Sequence, residues 1–74
     1  MEKIKILINT DYITFANLMK FAGILQTGGQ AFNLIEERLV SLNGNIVVEK
    51  RKKIRPGDHV IIKGQYEIEV EMEA

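Results

Sequence analysis

"LQTGGQAFNLI", residues 25–35, is the stretch whose reading decides the fold of this 74-residue chain. Ala31, Leu34 and Ile35 recur at helical spacing and mark one buried face. Thr27 and Gln30 stand as a T-x-x-Q capping box just ahead of that face. Between them lie Gly28 and Gly29, the poorest helix formers after proline. A helix start without side chains leaves its first amides open. Those N–H groups have no partner inside the helix and carry partial positive charge. A phosphate can sit there if nothing blocks it. The blander account is that glycine eases a sharp turn between two packed helices.

Moving outward, the second helix is expected over about 28–37 and a first helix over about 14–22, "TFANLMKFA". Phe15, Leu18, Met19 and Ala22 form its apolar face. Thr14 is placed to cap its start through the side-chain hydroxyl, and Gly23 to end it. Only "ILQ" separates the two, which predicts a tight helix-loop-helix.

The rest alternates. "KIKILI" predicts a half-buried strand over about 2–8, with Ile4, Ile6 and Ile8 inward. "LVSLNGNIVVE" predicts a hairpin, strands about 39–42 and 45–49, closed by Asn43-Gly44 as a type I′ turn. "KRKKIRPGD" reads as a basic loop in which Pro56 and Gly57 suit a type II turn. "HVIIK" and "YEIEVEM" predict strands about 59–63 and 66–72, with "GQ" as the turn between them. The fold class is α+β: two short packed helices against a small, mainly antiparallel sheet, in one domain over 1–74.

Ten basic and ten acidic side chains cancel, but they are not mixed evenly. "KRKKIR" (50–55) holds five of the cations, and "YEIEVEMEA" holds four of the carboxylates. The glutamates share one strand face and would repel unless opposed. Lys3 and Lys5 can oppose them, so the terminal strands are expected to be neighbours. Outside 1–8 and 67–74, eight cations face five anions, which leaves the middle of the chain net +3.

Several classes are set aside. With no cysteine there is no disulfide and no thiolate metal site, which fits a reducing cytoplasm. No apolar run approaches the ~20 residues that span a bilayer, so no membrane partner is expected. The start "MEKIKILINT" has a strand pattern and not that of a signal peptide. Ser41 is the only serine and His59 the only histidine. Nucleophilic catalysis, a metal, a cofactor and a small-molecule substrate are therefore not expected. His59 beside Asp58 reads as a partly exposed strand residue.

The cationic run is the first positive signal. Lys50, Arg51, Lys52 and Lys53, with Arg55, repel one another unless anions relieve them, and phosphates do so with release of counterions. A solvated loop is the commoner meaning of such a run. Phe32 is the second. It points about 100° off the buried face, where it either packs on a neighbour or stacks on an unpaired base.

The order of these pieces resembles the ribosomal S-4-like RNA-binding domain, or α-L motif, and within it the small stand-alone bacterial YaaA branch. The resemblance is carried by "ITF…LMKFAG", "TGGQA…LI", "VSLNG" and "IRPGD", over 13 to about 62. It implies binding of structured RNA, ribosomal or ribosome-associated, through the helix pair and the adjoining basic surface. By position it implicates Lys20, then Thr27, Gly28, Gly29 and Gln30, then Lys50, Arg51, Lys52 and Lys53. Many relatives carry Ser-Arg where this chain has "TGG", so backbone amides must replace a bidentate arginine. Where the family usually has glycine, this chain has Arg38. Arginine tolerates positive φ poorly, so the helix is expected to end differently there, and its charge to help hold RNA. A monomer is expected. A β-grasp-like protein-interaction module is the alternative, though the chain ends "EMEA" and not in the Gly-Gly of covalent carriers.

Overall fold

A computed structural model describes residues 1–73. Alternation makes β1 (Glu2–Ile8) and β7 (Tyr66–Met72) long strands, and they pair along their whole length. The pairing is parallel, with Lys3 opposite Glu67 and Lys5 opposite Glu69. Lys3 Nζ lies 3.8 Å from Glu67, and Lys5 Nζ reaches diagonally to Glu71 at 3.1 Å. The expected opposition of charges is therefore in place. The hydrogen bond to Glu71, with that residue's charge, holds the Lys5 ammonium above its ordinary value of 10.5. A raised lysine contributes stability below its unfolded pKa and loses it as pH rises through the folded one. This pair is thus intact throughout the neutral range.

The other strands of the main sheet are antiparallel. The order is β1-β7-β6-β3-β4, with β3 at Val40–Leu42, β4 at Asn45–Ile46 and β6 at His59–Ile62. Helix α1 (Phe15–Phe21) and helix α2 (Gly28–Glu36) cover one face. Between them and the sheet lie Phe15, Leu18, Met19, Ala31, Leu34 and Ile35, against Val40, Val60, Ile62, Ile68 and Val70. The expected strand over 45–49 is shorter. After Val47 turns inward, its N–H on Val40 O at 2.9 Å, the chain leaves the sheet.

Turn chemistry is as the sequence spells it. Asn43 (φ 50) and Gly44 (φ 90) make the tight hairpin turn, and Gly57 (φ 94) holds the left-handed position of the Pro56-Gly57 turn. The turn between β6 and β7 centres on Lys63 and Gly64, one residue earlier than "GQ", with Gln65 N donating to Ile62 O at 2.9 Å.

Arg38 corrects an expectation. Helix α2 ends as a glycine-terminated helix would, with Arg38 itself at φ 58. Leu39 N donates to Leu34 O and Arg38 N to Ile35 O, both at 3.0 Å, which is the Schellman pattern. Satisfying two helix-end carbonyls outweighs a left-handed penalty of roughly 1–2 kcal/mol. Arg38→Gly should therefore raise stability by about 0.5–1 kcal/mol. Urea unfolding measures it, and a loss of stability would mean that the arginine side chain itself supports the fold.

Candidate nucleic-acid interface

The cationic run is not a free loop. Lys53–Ile54 forms β5, which pairs antiparallel with β2 (Ile13–Thr14), setting Ile13 against Ile54 and Thr14 against Lys53. Ile54 is fully buried, the one apolar anchor in the run. The pairing brings Lys52 O to 2.9 Å from Phe15 N. That carbonyl accepts from the first N–H of α1, while the Thr14 side chain makes no capping bond. The expected hydroxyl cap is absent, and the basic segment's backbone satisfies a different amide of the same helix start.

The far end is tied as firmly. Asp58 accepts from Arg55 N at 2.8 Å and from Asn43 Nδ2 at 3.0 Å. Asn43 Oδ1 accepts from His59 N at 2.9 Å. Asp58 thus joins the two tight turns and is not paired with His59, whose imidazole lies 4.0 Å from Glu69. Because backbone on both sides is held, the segment that carries the cations is ordered before any ligand arrives, which lowers the entropy cost of binding.

Arg51, Lys52, Lys53 and Arg55, with Glu49, line one surface hollow of about 350 Å³. None of these four cations belongs to an ion pair among the described residues. Lys50 differs. Its ammonium lies 3.0 Å from Glu36 at the end of α2 and 5.9 Å from the Phe32 ring centre. Phe32 is half-buried beneath it, so packing accounts for part of that side chain.

At the start of α2 the capping box forms in a shifted version. Thr27 Oγ1 accepts from Gln30 N at 3.3 Å, and Gln30 Oε1 reaches back to Gln26 N at 3.2 Å. The amides of Gly28 and Gly29 donate to nothing among the described residues. Neither glycine has positive φ, unlike Gly23, Gly44, Gly57 and Gly64. A Cβ on Gly28 would stop 4.0 Å from Ala16 Cβ, and one on Gly29 would stop 4.0 Å from Thr27 Oγ1. So neither backbone strain nor crowding requires glycine here. The same contact sets this open corner against the first turn of α1, whose Phe15 N–H is held by Lys52 O.

Lys20 is exposed on α1 and lines a groove with Tyr12, Thr14 and Phe21. Arg38 lines a different hollow, with Lys63, Ser41, Ile46 and Ile61. The fold therefore brings Lys20, the glycine corner and Arg51–Arg55 around the helix pair, and does not bring Arg38 into the same hollow. Two exposed aromatics escaped the sequence reading, Tyr12 and Phe21. Tyr12 was hidden in turn chemistry. Phe21 falls about 100° from the apolar face of α1, the same signal that marked Phe32.

No curated protein matches the chain. A family model described as S4 domain matches residues 6–71. S4 domains are in general RNA-binding modules and not catalysts. Because the match takes in both helices, the basic segment and nearly all of the sheet, the chain belongs to the S4 domain family.

Proposed function

We propose that residues 1–74 form one S4 domain of the YaaA type that binds folded RNA as a cytoplasmic monomer without catalysis. Ribosomal RNA, or an RNA of a ribosome assembly intermediate, is the first candidate. The reading rests on one observation: four cations without an ion pair among the described residues, Arg51, Lys52, Lys53 and Arg55, line one hollow on a segment paired to the strand that leads into α1. They take the phosphates of one strand. Gly28 and Gly29 offer two free amides to a further phosphate, and Thr27 and Gln30 hold that helix start in shape. Lys20 extends the surface along α1. Lys50 contributes less, because an RNA phosphate must compete with Glu36 for it. Phe32 supports Lys50 in preference to stacking on a base, and Arg38 makes at most a peripheral contact.

The glycines supply the test. Alanine is the better helix former by up to about 1 kcal/mol per site, and here a Cβ meets no obstacle. The double variant Gly28→Ala with Gly29→Ala should be more stable than the parent by a few tenths to about 1 kcal/mol. It should bind an RNA hairpin about three- to tenfold more weakly, because the Cβ atoms crowd the approach to the amides. Thermal unfolding and fluorescence anisotropy measure the two effects. Greater stability with unchanged affinity removes the amide corner from the interface.

A further inference from the structure

Beside α1 lies an open groove of about 720 Å³, whose lining includes Tyr12, Ile13, Thr14 and Phe21. Tyr12 is 41% and Phe21 67% exposed, which leaves both rings facing solvent. Lys20 lines the groove, and Lys53 Nζ sits 4.7 Å from the centre of the Tyr12 ring. No carboxylate lines it; Asp11, next to Tyr12 in the chain, is not among the lining residues. The groove and the cationic hollow are adjacent, since Thr14 of the groove lining pairs with Lys53 of the hollow across β2 and β5. Adjacent strands lie about 4.8 Å apart, less than the reach of a lysine side chain.

We infer that this groove is a stacking subsite for unpaired nucleotides of the RNA whose phosphates occupy the cationic hollow, an inference that rests on the RNA-binding reading above. Aromatic faces next to lysines are what single-stranded nucleic acid requires: rings for the bases, cations for the backbone. A single exposed aromatic needs no explanation. Two on one groove, with Lys20 in its lining, Lys53 over one ring and no acid, match the chemistry of a base and its phosphate. An acidic peptide would satisfy the lysines but leave the rings without a flat partner. An apolar helix would cover the rings but bury Lys20 unpaired. Lys53 serves both regions. Its stem crosses from the hollow to Tyr12, and its ammonium lies over the ring in the arrangement of a cation–π contact. The Thr10 hydroxyl donates to Tyr12 O at 2.8 Å, which fixes the backbone that carries the ring.

The test uses two RNAs: a blunt hairpin, and the same hairpin with a short single-stranded 3′ extension carrying 2-aminopurine. The intact chain should bind the extended RNA about tenfold more tightly, and the fluorescence of 2-aminopurine should be quenched as it stacks. Phe21→Leu and Tyr12→Leu, each checked for folding by amide spectra, should abolish most of the gain and the quenching. Phe21→Leu should not change affinity for the blunt hairpin more than about twofold, nor the dependence on salt, because no phosphate contact is lost. Tyr12→Leu, which removes the ring under Lys53, should leave the salt slope unchanged because the cation remains. An extension that brings no gain, or a gain and quenching that survive both substitutions, overturns the subsite while leaving the phosphate surface intact. If neither RNA binds the intact chain, the RNA-binding reading itself falls. Concentration-dependent self-association abolished by Phe21→Leu would make the groove an interface between copies and overturn the inference as well.

Discussion

Exchanging Arg51, Lys52, Lys53 and Arg55 together for glutamine should lower affinity for folded RNA by at least about a hundredfold near 50 mM salt. Each cation that neutralises a phosphate releases counterions, so four of them give log K against log salt a slope of about −3 to −4. The variant should keep only the shallow slope left by Lys20 and Lys50. Glutamine is the right replacement because it keeps a polar, flexible stem where Lys52 is half-buried. The fold should survive and gain slightly, since these four side chains make no ion pair among the described residues and now repel one another. Lys3→Gln with Lys5→Gln is the control. It removes two cations from the opposite edge of the sheet, where they face Glu67 and Glu71, and should leave the slope unchanged. Filter binding over a salt series measures all three proteins. Equal slopes for the parent and the four-site variant would show that the hollow holds no phosphates.

How much of this was legible beforehand depended on whether a residue acts through period and charge or through a partner far along the chain. The terminal strands were found as neighbours because four glutamates on one face demand lysines opposite. Their parallel direction was not found, since either direction would satisfy those charges. Asn43-Gly44 and Pro56-Gly57 announce their turns because few other residues take those angles. Arg38 and Lys63 hold positive φ without being glycine, imposed by Schellman bonds in one case and by the β6–β7 hairpin in the other, and nothing in their chemistry says so. The strand pair β2–β5 was missed for a similar reason. Two residues have no period, and in "KRKKIR" the only hint is one isoleucine among cations. Thr14 looked like a cap because capping is local, whereas the partner of the Phe15 N–H is Lys52 O, far along the chain. The cations of the proposed surface stand out in the sequence by composition alone. Their arrangement around α1 came only from that long-range pairing.

The same isoleucine carries the largest expected effect on stability. Ile54→Ala should destabilise the chain by about 2–5 kcal/mol, because Ile54 is fully buried and the cavity left behind has little slack to close. A chain of this length has only about 4–11 kcal/mol to lose. The melting temperature should fall by roughly 10–30 °C. The loss is not confined to packing. Ile54 holds β5 to β2, and that pairing sets the Lys52 carbonyl on Phe15 N–H. Amide exchange at Phe15 should therefore accelerate more than exchange in β7, which pairs with β1 and β6 in the five-stranded sheet, separate from the β2–β5 pair. RNA affinity measured well below the melting point should fall while the salt slope stays near its parent value, since every cation is still present but must be ordered on binding. This separates the variant from charge removal, which flattens the slope and spares the fold. Ile54→Val, a smaller deletion costing about 0.5–1.5 kcal/mol, should fall between the parent and Ile54→Ala on both counts. A melting point within a few degrees of the parent for Ile54→Ala would mean that the basic segment is not anchored through this side chain, and the preordering assigned to it would have to come from the Asn43–Asp58 link alone.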